Sequence, residues 1–352
     1  MKKVFMFVSI IVLLSFLAAC GGGNGDNGAN NETDAPDANT AEETEGDTYN
    51  FDYAHAGAET HTTHLGAVKF TELVEEKSDG RITFTMYPNR QLGDEREILE
   101  NVINGTIDMS STSTGVLSGY NSSFEALQLP FLLNTYDIQK EAYKTDAMQN
   151  LFDSLEELGL KGFGPHDLGI RHLANNERPI KTPEDLNGIK LRTVEAPIMT
   201  DIFNALGASP TPMAYGEVYT ALETGVIDGE EINLTSIVAE KHLEVLEHVT
   251  LTGQFPFPAV ILINQEVFNS LSEEDQQIMI EAAEETTDYM LEEIKKIDEE
   301  ALAEIKEAGV EVTELSVDEL EAFIDATESV YEKYTEKDPL IADFVNEVQN
   351  LK

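Results

Sequence analysis

The chain has 352 residues, room for two domains of ordinary size, and 41% of them are apolar, enough to form real cores. It carries 67 acidic residues against 22 basic ones, a formal charge of −45. Because nucleic acids are themselves densely negative, this charge argues against nucleic-acid binding.

The first twenty residues have the pattern of a signal peptide. Two lysines precede an apolar run over residues 4–17, which is too short for a membrane-spanning helix, and small residues follow it. The segment "LAAC" ends at Cys20, the only cysteine, and resembles the lipobox of bacterial lipoproteins. The resemblance implies a lipid on the Cys20 sulfur and attachment to the outer face of the cell membrane. The alternative is a stray cysteine in a cleaved signal.

The next segment, residues 21–48, is nearly free of apolar side chains. Such a segment cannot bury enough surface to offset the entropy lost on ordering. We therefore predict a flexible tether and expect the folded part to begin near Tyr49.

The folded part opens with alternating strand and helix patterns. A strand from Tyr49 leads to a helix ended by Gly80, a strand "RITFTMYPN", a helix ended by Gly105 and a strand "TIDMSSTST". The same order resumes after residue 160, with a strand at Lys190–Val194. This alternation predicts α/β units in which helices cover a sheet.

A short passage occurs twice, 120 residues apart. "EREILENVINGTIDMS" at 95–110 returns as "YGEVYTALETGVIDGE" at 215–230, with Gly105 matching Gly225 and Asp108 matching Asp228. Both copies predict a helix, a glycine stop and a strand, and so two α/β units of similar plan. A generic helix–glycine–strand pattern that arises by chance is the alternative explanation.

Residues 272–309 have helical spacing with no internal proline or glycine. A helix of that length spans roughly 55 Å, so we expect it to cross both domains or to bend once at their boundary. We predict that domain I comprises residues 49–168 and 257–296. Domain II is predicted to comprise residues 169–256 and 297–352.

Two of the six arginines, Arg171 and Arg192, lie in strand-like, half-apolar text. Burial of an arginine is costly without an anion, and the guanidinium fork fits a carboxylate with two parallel bonds. The anion could be a ligand or an internal glutamate. In open α/β sheets, ligands bind beyond the carboxyl ends of the strands, which places Ser113 and Asn233 beside the predicted site.

Three longer segments resemble one known family: "YPNRQLGDEREILENVINGTID", "RPIKTPEDLNGIKLRTVEAP" and "LGASPTPMAYGEVYTALETGVIDGEE". The family is the substrate-binding proteins of tripartite ATP-independent periplasmic (TRAP) transporters, of the DctP type, and the resemblance runs from Asn50 to about Lys337. It implies a periplasmic-binding-protein-like α/β fold of two hinged domains. It also implies capture of a small organic acid, a C4-dicarboxylate or a sugar acid, for the membrane subunits of a TRAP transporter.

The resemblance further implies roles for individual residues. Arg192 falls on the arginine that grips the ligand carboxylate, Arg171 on a second arginine near it, and Tyr215 on a flanking aromatic residue. Ile232 stands where the family often has an asparagine. Either Asn233, one position later, takes over that contact or the contact is lost.

Glu195 also departs from the family, which commonly has asparagine or a similar residue there. A carboxylate at this position favours a ligand with hydroxyls or a positive group beside its own carboxylate. The sequence leaves the identity of the organic acid open.

Competing functions have weaker support in the sequence. His55, His61 and His64 lie close together, but no cysteine joins them, and we expect no metal or cofactor. Of the three, His55 at a strand end is the one we expect nearest the ligand. Known hydrolase motifs are missing, so we predict a binding protein rather than an enzyme. We also expect it to be a monomer. A purely structural surface lipoprotein is the remaining alternative.

Overall fold

A computed structural model describes residues 47–352. The predicted signal peptide, Cys20 and nearly all of the predicted tether therefore lie outside the described residues. The strands are β1 (Tyr49–His55), β2 (Ile82–Tyr87), β3 (Met109–Ser113), β4 (Leu160–His166), β5 (Arg171–Asn175), β6 (Lys190–Thr193), β7 (Ser209–Pro212), β8 (Gly229–Asn233), β9 (His248–Leu251), β10 (Ala259–Asn264) and β11 (Glu311–Glu314).

Helices connect most of these strands. They are α1 (Thr62–Lys77), α2 (Glu95–Ile103), α3 (Thr114–Ser118), α4 (Tyr136–Ala142), α5 (Asp146–Asp153), α6 (Pro197–Ala205), α7 (Val218–Glu223), α8 (Leu234–Ala239), α9 (Gln265–Ser270), α10 (Glu273–Glu307), α11 (Val317–Ala326), α12 (Glu328–Lys337) and α13 (Pro339–Leu351). Short 3-10 turns lie at Ser122–Gln128, Ser154–Leu158, Pro183–Leu186, Tyr215–Glu217 and His242–Glu244.

Two mixed sheets form the centres of two lobes. The first sheet has the order β2-β1-β3-β10-β4. Strand β1 runs parallel to its neighbours β2 and β3, whereas β10 runs antiparallel to its neighbours β3 and β4. The second has the order β11-β9-β5-β8-β6-β7, with β5 antiparallel to β8 and β9. This is the two-domain α/β architecture predicted from the alternating pattern.

The sequence repeat is a structural repeat. Gly105 and Gly225 both have φ of +69°, the left-handed region that favours glycine at a helix end. Each following aspartate then accepts a backbone N–H from the neighbouring parallel strand: Asp108 from Asp52 and Asp228 from Lys190, both at 2.8 Å. The same residues therefore end the helix and align the next strand in both lobes.

The lobes are tied together at their base. The chain crosses from β4 to β5 and returns from β9 to β10, and one apolar cluster includes Leu99 of the first lobe and Leu191 of the second. Helix α10 packs against α1 and β4 on the first lobe and α8 on the second, as its predicted length required.

Within residues 47–352, none of the helices combines the length and apolar composition that a membrane crossing needs.

The C-terminal helix differs from the predicted domain assignment. The sequence placed all of residues 297–352 in domain II, whereas α13 packs against α4, α5 and the 3-10 turn Ser122–Gln128 of the first lobe. Its buried side chains Ile341, Phe344 and Val348 join the shared apolar cluster. The apolar face of α13 thus returns the chain end to the first lobe, which sequence order alone does not indicate. The other domain boundaries stay a prediction.

Candidate functional site

A cavity that is partly open to solvent lies between the two lobes. Strand ends and helix starts from both lobes form its wall, as the strand-end rule predicts. The lining residues are Ala56, Gly57, His61, Thr63, Asp94, Glu95, Arg96, Ser111, Ser113 and Val116 of the first lobe, Arg171, Arg192, Val194, Glu195, Met213, Ala214, Tyr215, Asn233 and Ser236 of the second, and Leu168 and Phe257 of the crossing segments.

Arg192 lies in the cavity wall on β6 and is only 3% exposed. Its Nε and Nη2 donate to the Met213 carbonyl at 3.1 and 2.9 Å. Within residues 47–352, Nη1 has no hydrogen-bond partner and the guanidinium forms no salt bridge. Burial lowers the pKa of Arg192 from its ordinary value, but an arginine stays charged in a protein. The wall of the cavity therefore holds a buried positive charge that has no salt-bridge partner in residues 47–352, although Glu231 and Glu230 lie close enough to act on it electrostatically.

Arg171 also lines the cavity, but it already has an internal partner. Its Nε donates to Glu231 Oε2 at 2.6 Å and its Nη1 to Asn233 Oδ1 at 3.1 Å. Arg171 and Glu231 are both buried, and the guanidinium lies 4.2 Å from the Phe257 ring centroid. Of the two anions that the sequence left open, the internal glutamate is the one that Arg171 holds.

Asn233 lines the cavity at the end of β8, while Ile232 beside it is fully buried in the core. The Asn233 side chain donates to the Leu168 carbonyl and accepts from Arg171 and from Ser236, the latter at 2.8 Å. Asn233 thus occupies the wall but is tied into an internal network. Its direct contact with a ligand stays a prediction.

Tyr215, Ser113 and Glu195 also line the cavity, as the sequence predicts. The Tyr215 ring lies 5.9 Å from the Arg192 guanidinium carbon and limits where that group can move. The Ser113 backbone N–H donates to Glu95, and its hydroxyl caps α3. Glu195 lies at the rim, 3.8 Å from Arg96 Nε.

His55 does not line the cavity, contrary to the expectation that it lies nearest the ligand. Its side chain is fully buried at the end of β1, where Nε2 pairs with His64 Nδ1 at 3.0 Å. His61 lines the cavity instead: Nδ1 accepts from Thr63 N, so the neutral ring donates from Nε2 to Ser236 Oγ at 2.8 Å. In residues 47–352, no three histidine, cysteine or acidic side chains group together in a way that could hold a metal ion.

Two carboxylates of the wall, Asp94 and Glu95 at the start of α2, were not among the predicted site residues. Asp94 is the N-cap of α2 and accepts from Glu95 N at 2.7 Å and from Gly216 N of the other lobe at 2.9 Å. Burial raises the pKa of Glu95 to about 7, although the hydrogen bond from Ser113 N opposes that effect. The pattern "GDERE" is typical of a helix start. Because helix capping already explains these two acidic residues, the sequence gives no separate indication that they line a ligand cavity.

Several contacts besides that of Asp94 join the lobes across the mouth of the cavity. Arg90 Nη2 lies 2.8 Å from Glu240 Oε2, and Glu240 Oε1 also accepts from Ala58 N at 3.2 Å. The His61–Ser236 hydrogen bond makes a further bridge. The structure is therefore a closed form, in which the lobes touch around the cavity.

Two α/β lobes that close over a cavity lined by two buried arginines are typical of a solute-binding protein. The chain belongs to the DctP family, the bacterial extracellular solute-binding proteins of family 7, whose model matches residues 53–338. The members of this family are extracytoplasmic binding proteins.

Individual relatives match almost the whole folded part. The 2,3-diketo-L-gulonate-binding periplasmic protein of Escherichia coli is 31% identical over 302 residues, 85% of this chain and 91% of that protein. The C4-dicarboxylate-binding protein of Bacillus subtilis is 30% identical over 285 residues, 81% of each chain. The crystal structure of a TRAP periplasmic solute-binding protein from Roseobacter denitrificans with bound β-D-glucuronate is 30% identical, covers 85% of this chain and 99% of that one, and has a TM-score of 0.81.

Proposed function

We propose that this protein captures a small organic acid, a sugar acid or a C4-dicarboxylate, between its lobes and delivers it to a TRAP-type membrane transporter. The observation that carries the proposal is Arg192, a buried cation in the cavity wall with no carboxylate partner among the described residues. The ligands named for the relatives above, a diketo acid, C4-dicarboxylates and a uronate, all carry the carboxylate that such a guanidinium fits.

Capture follows from the difference between open and closed lobes. A ligand that touches both lobes favours the closed form by the contacts that the open form cannot make. Arg192 belongs to the second lobe, while Ser113 and Glu95 belong to the first. A ligand bound at Arg192 that also reaches these two residues therefore shifts the equilibrium towards closure.

The Arg192→Ala variant tests the proposal. Removal of the guanidinium leaves the ligand carboxylate poorly paired, which costs about 2–5 kcal/mol of binding free energy, so the thermal stabilisation by ligand should disappear. Arg178→Ala is a matched control, because Arg178 also donates to backbone carbonyls but lies on an exposed loop outside the cavity. A normal ligand-induced shift in Arg192→Ala would remove Arg192 from the site.

We also propose that the protein binds its ligand without converting it and is attached to the membrane through a lipid on Cys20. A receptor function requires that the ligand be released unchanged, so incubation with the protein followed by mass spectrometry should return the same molecule. Turnover of the ligand would instead favour the hydrolase alternative. Attachment through Cys20 would keep the receptor beside the transporter that it serves.

A further inference from the structure

The charges that line the cavity are unevenly paired. Three arginines and three carboxylates of the described chain face it: Arg96, Arg171 and Arg192, and Asp94, Glu95 and Glu195. Arg171 is neutralised by Glu231 behind the wall, and Arg96 lies beside Glu195 at the rim. Arg192, Asp94 and Glu95 have no salt-bridge partner within residues 47–352, although Arg192 and Glu95 lie close enough to interact electrostatically.

The two carboxylates without a salt-bridge partner, Asp94 and Glu95, belong to the first lobe, at the N-terminus of α2. Glu95 Oε1 accepts from Ser113 N, and the Ser113 hydroxyl also interacts with the carboxylate. Asp94 accepts only backbone N–H groups, and neither side chain forms a salt bridge within residues 47–352. Both are therefore acceptors that can take a further hydrogen bond from a donor in the cavity.

We infer that the site takes a hydroxylated monocarboxylate, with its carboxylate on Arg192 and its hydroxyl groups on Glu95 and Asp94, and rejects acids that carry a second carboxylate in place of those hydroxyl groups. The inference rests on the proposed function and narrows it. It assigns Asp94 and Glu95 as the residues that determine specificity.

The selection has a repulsive and an attractive component. A second carboxylate would face like charges inside the cavity, and like-charge contacts are a strong barrier to the wrong ligand. A hydroxyl group at the same place donates to a carboxylate in a charge-assisted hydrogen bond. The same two side chains therefore attract a polyol end and repel an acidic end.

The test compares pairs of acids that share a carbon skeleton and differ in the charge of one end. D-gluconate against D-glucarate and D-erythronate against tartrate are such pairs, with succinate as a plain C4-dicarboxylate. The full-length protein is titrated calorimetrically at pH 8, where Glu95 with its pKa of about 7 is ionised. We expect the monocarboxylate of at least one pair to bind at least about tenfold more tightly than its dicarboxylate partner.

Two variants assign that preference to a residue. Glu95→Gln removes the charge and keeps the oxygen that accepts from Ser113, so the preference should fall to within about threefold. Glu100→Gln removes a charge from the exposed face of the same helix, outside the cavity, and should keep the full preference.

The outcomes separate the inference from the proposed function. Dicarboxylates that bind as tightly as their partners, or a preference unchanged in Glu95→Gln, would overturn the inference and leave organic-acid binding intact. The proposed function, and the inference with it, would fail if no acid of either kind binds or if binding survives in Arg192→Ala.

Discussion

Arg90 and Glu240 form an ion pair of 2.8 Å that joins the two lobes at the mouth of the cavity. Their side chains are 24% and 11% exposed, so solvent screens this pair less than a surface pair. Asn89 and Arg90 both have positive φ, 54° and 60°, and their backbone N–H groups donate to Gly57 and His55. A strained loop thus holds Arg90 in place for a contact that exists only when the lobes are closed.

The Glu240→Gln variant should bind the ligand more weakly, although the side chain at position 240 does not contact the ligand. The closed form loses a charge-assisted contact of about 1 kcal/mol, so the apparent affinity should fall about fivefold, mostly through faster dissociation. Calorimetry gives the affinity, and small-angle scattering gives the fraction of closed protein. Glu300→Gln is the control, because its pair with Lys296 is 3.9 Å long and largely exposed on α10. An unchanged affinity in Glu240→Gln at low salt would contradict a closing role.

Arg171→Met should destabilise the ligand-free fold strongly. The substitution leaves Glu231 buried and charged without its partner, which costs about 3–5 kcal/mol. Arg171→Met/Glu231→Gln should recover part of that loss, because the neutral amide can still accept from Val194 N. Urea unfolding measures both variants. A single variant within about 1 kcal/mol of the parent protein would show that the pair contributes little.

His166 should make the fold sensitive to acid. Burial lowers its pKa from 6.5 to about 3, and neither ring nitrogen has a hydrogen-bond partner in residues 47–352. The unfolded chain takes up a proton below pH 6.5, whereas the folded protein resists it. The stability that depends on the neutral ring is therefore fully present above pH 6.5 and is lost as the pH falls towards 3.

The His166→Leu variant isolates this effect. Its unfolding free energy, relative to that of the parent protein, should rise by about 2 kcal/mol between pH 7.5 and pH 5, since each pKa unit corresponds to about 1.4 kcal/mol. The comparison cancels the other titrating groups, including the neighbouring His55 and His61, which burial also keeps neutral. A difference that stays flat over this range would refute the assignment to His166.

Cys20→Ser should release the protein from the membrane. The proposed lipid needs a sulfur to carry it, and Cys20 is the only cysteine in the chain. Fractionation of expressing cells should find the parent protein with the membranes and the variant in the soluble fraction. A variant that remains with the membranes would show that something other than this cysteine holds it there.

Much of the fold could be predicted because its signals are local. The glycine stops at Gly105 and Gly225 and the apolar spacing of the helices lie within a few residues of the features that they specify. Helix α10 was predicted from an uninterrupted periodic stretch. The position of α13 could not be predicted, because the sequence of an amphipathic helix at a chain end does not indicate which lobe the helix will pack against.

The residue patterns were enough to predict two α/β lobes that present arginines and polar strand ends to a common gap. They could not show which arginine lacks a salt-bridge partner, since Arg171 and Arg192 look alike in the sequence. Glu231 is 60 residues from Arg171 along the chain and reaches it because β5 pairs with β8. That pairing gives Arg171 a salt-bridge partner and leaves Arg192 without one among the described residues. The physical reason is that a buried charge is balanced by the groups that folding brings within a few ångströms, and not by its neighbours in sequence.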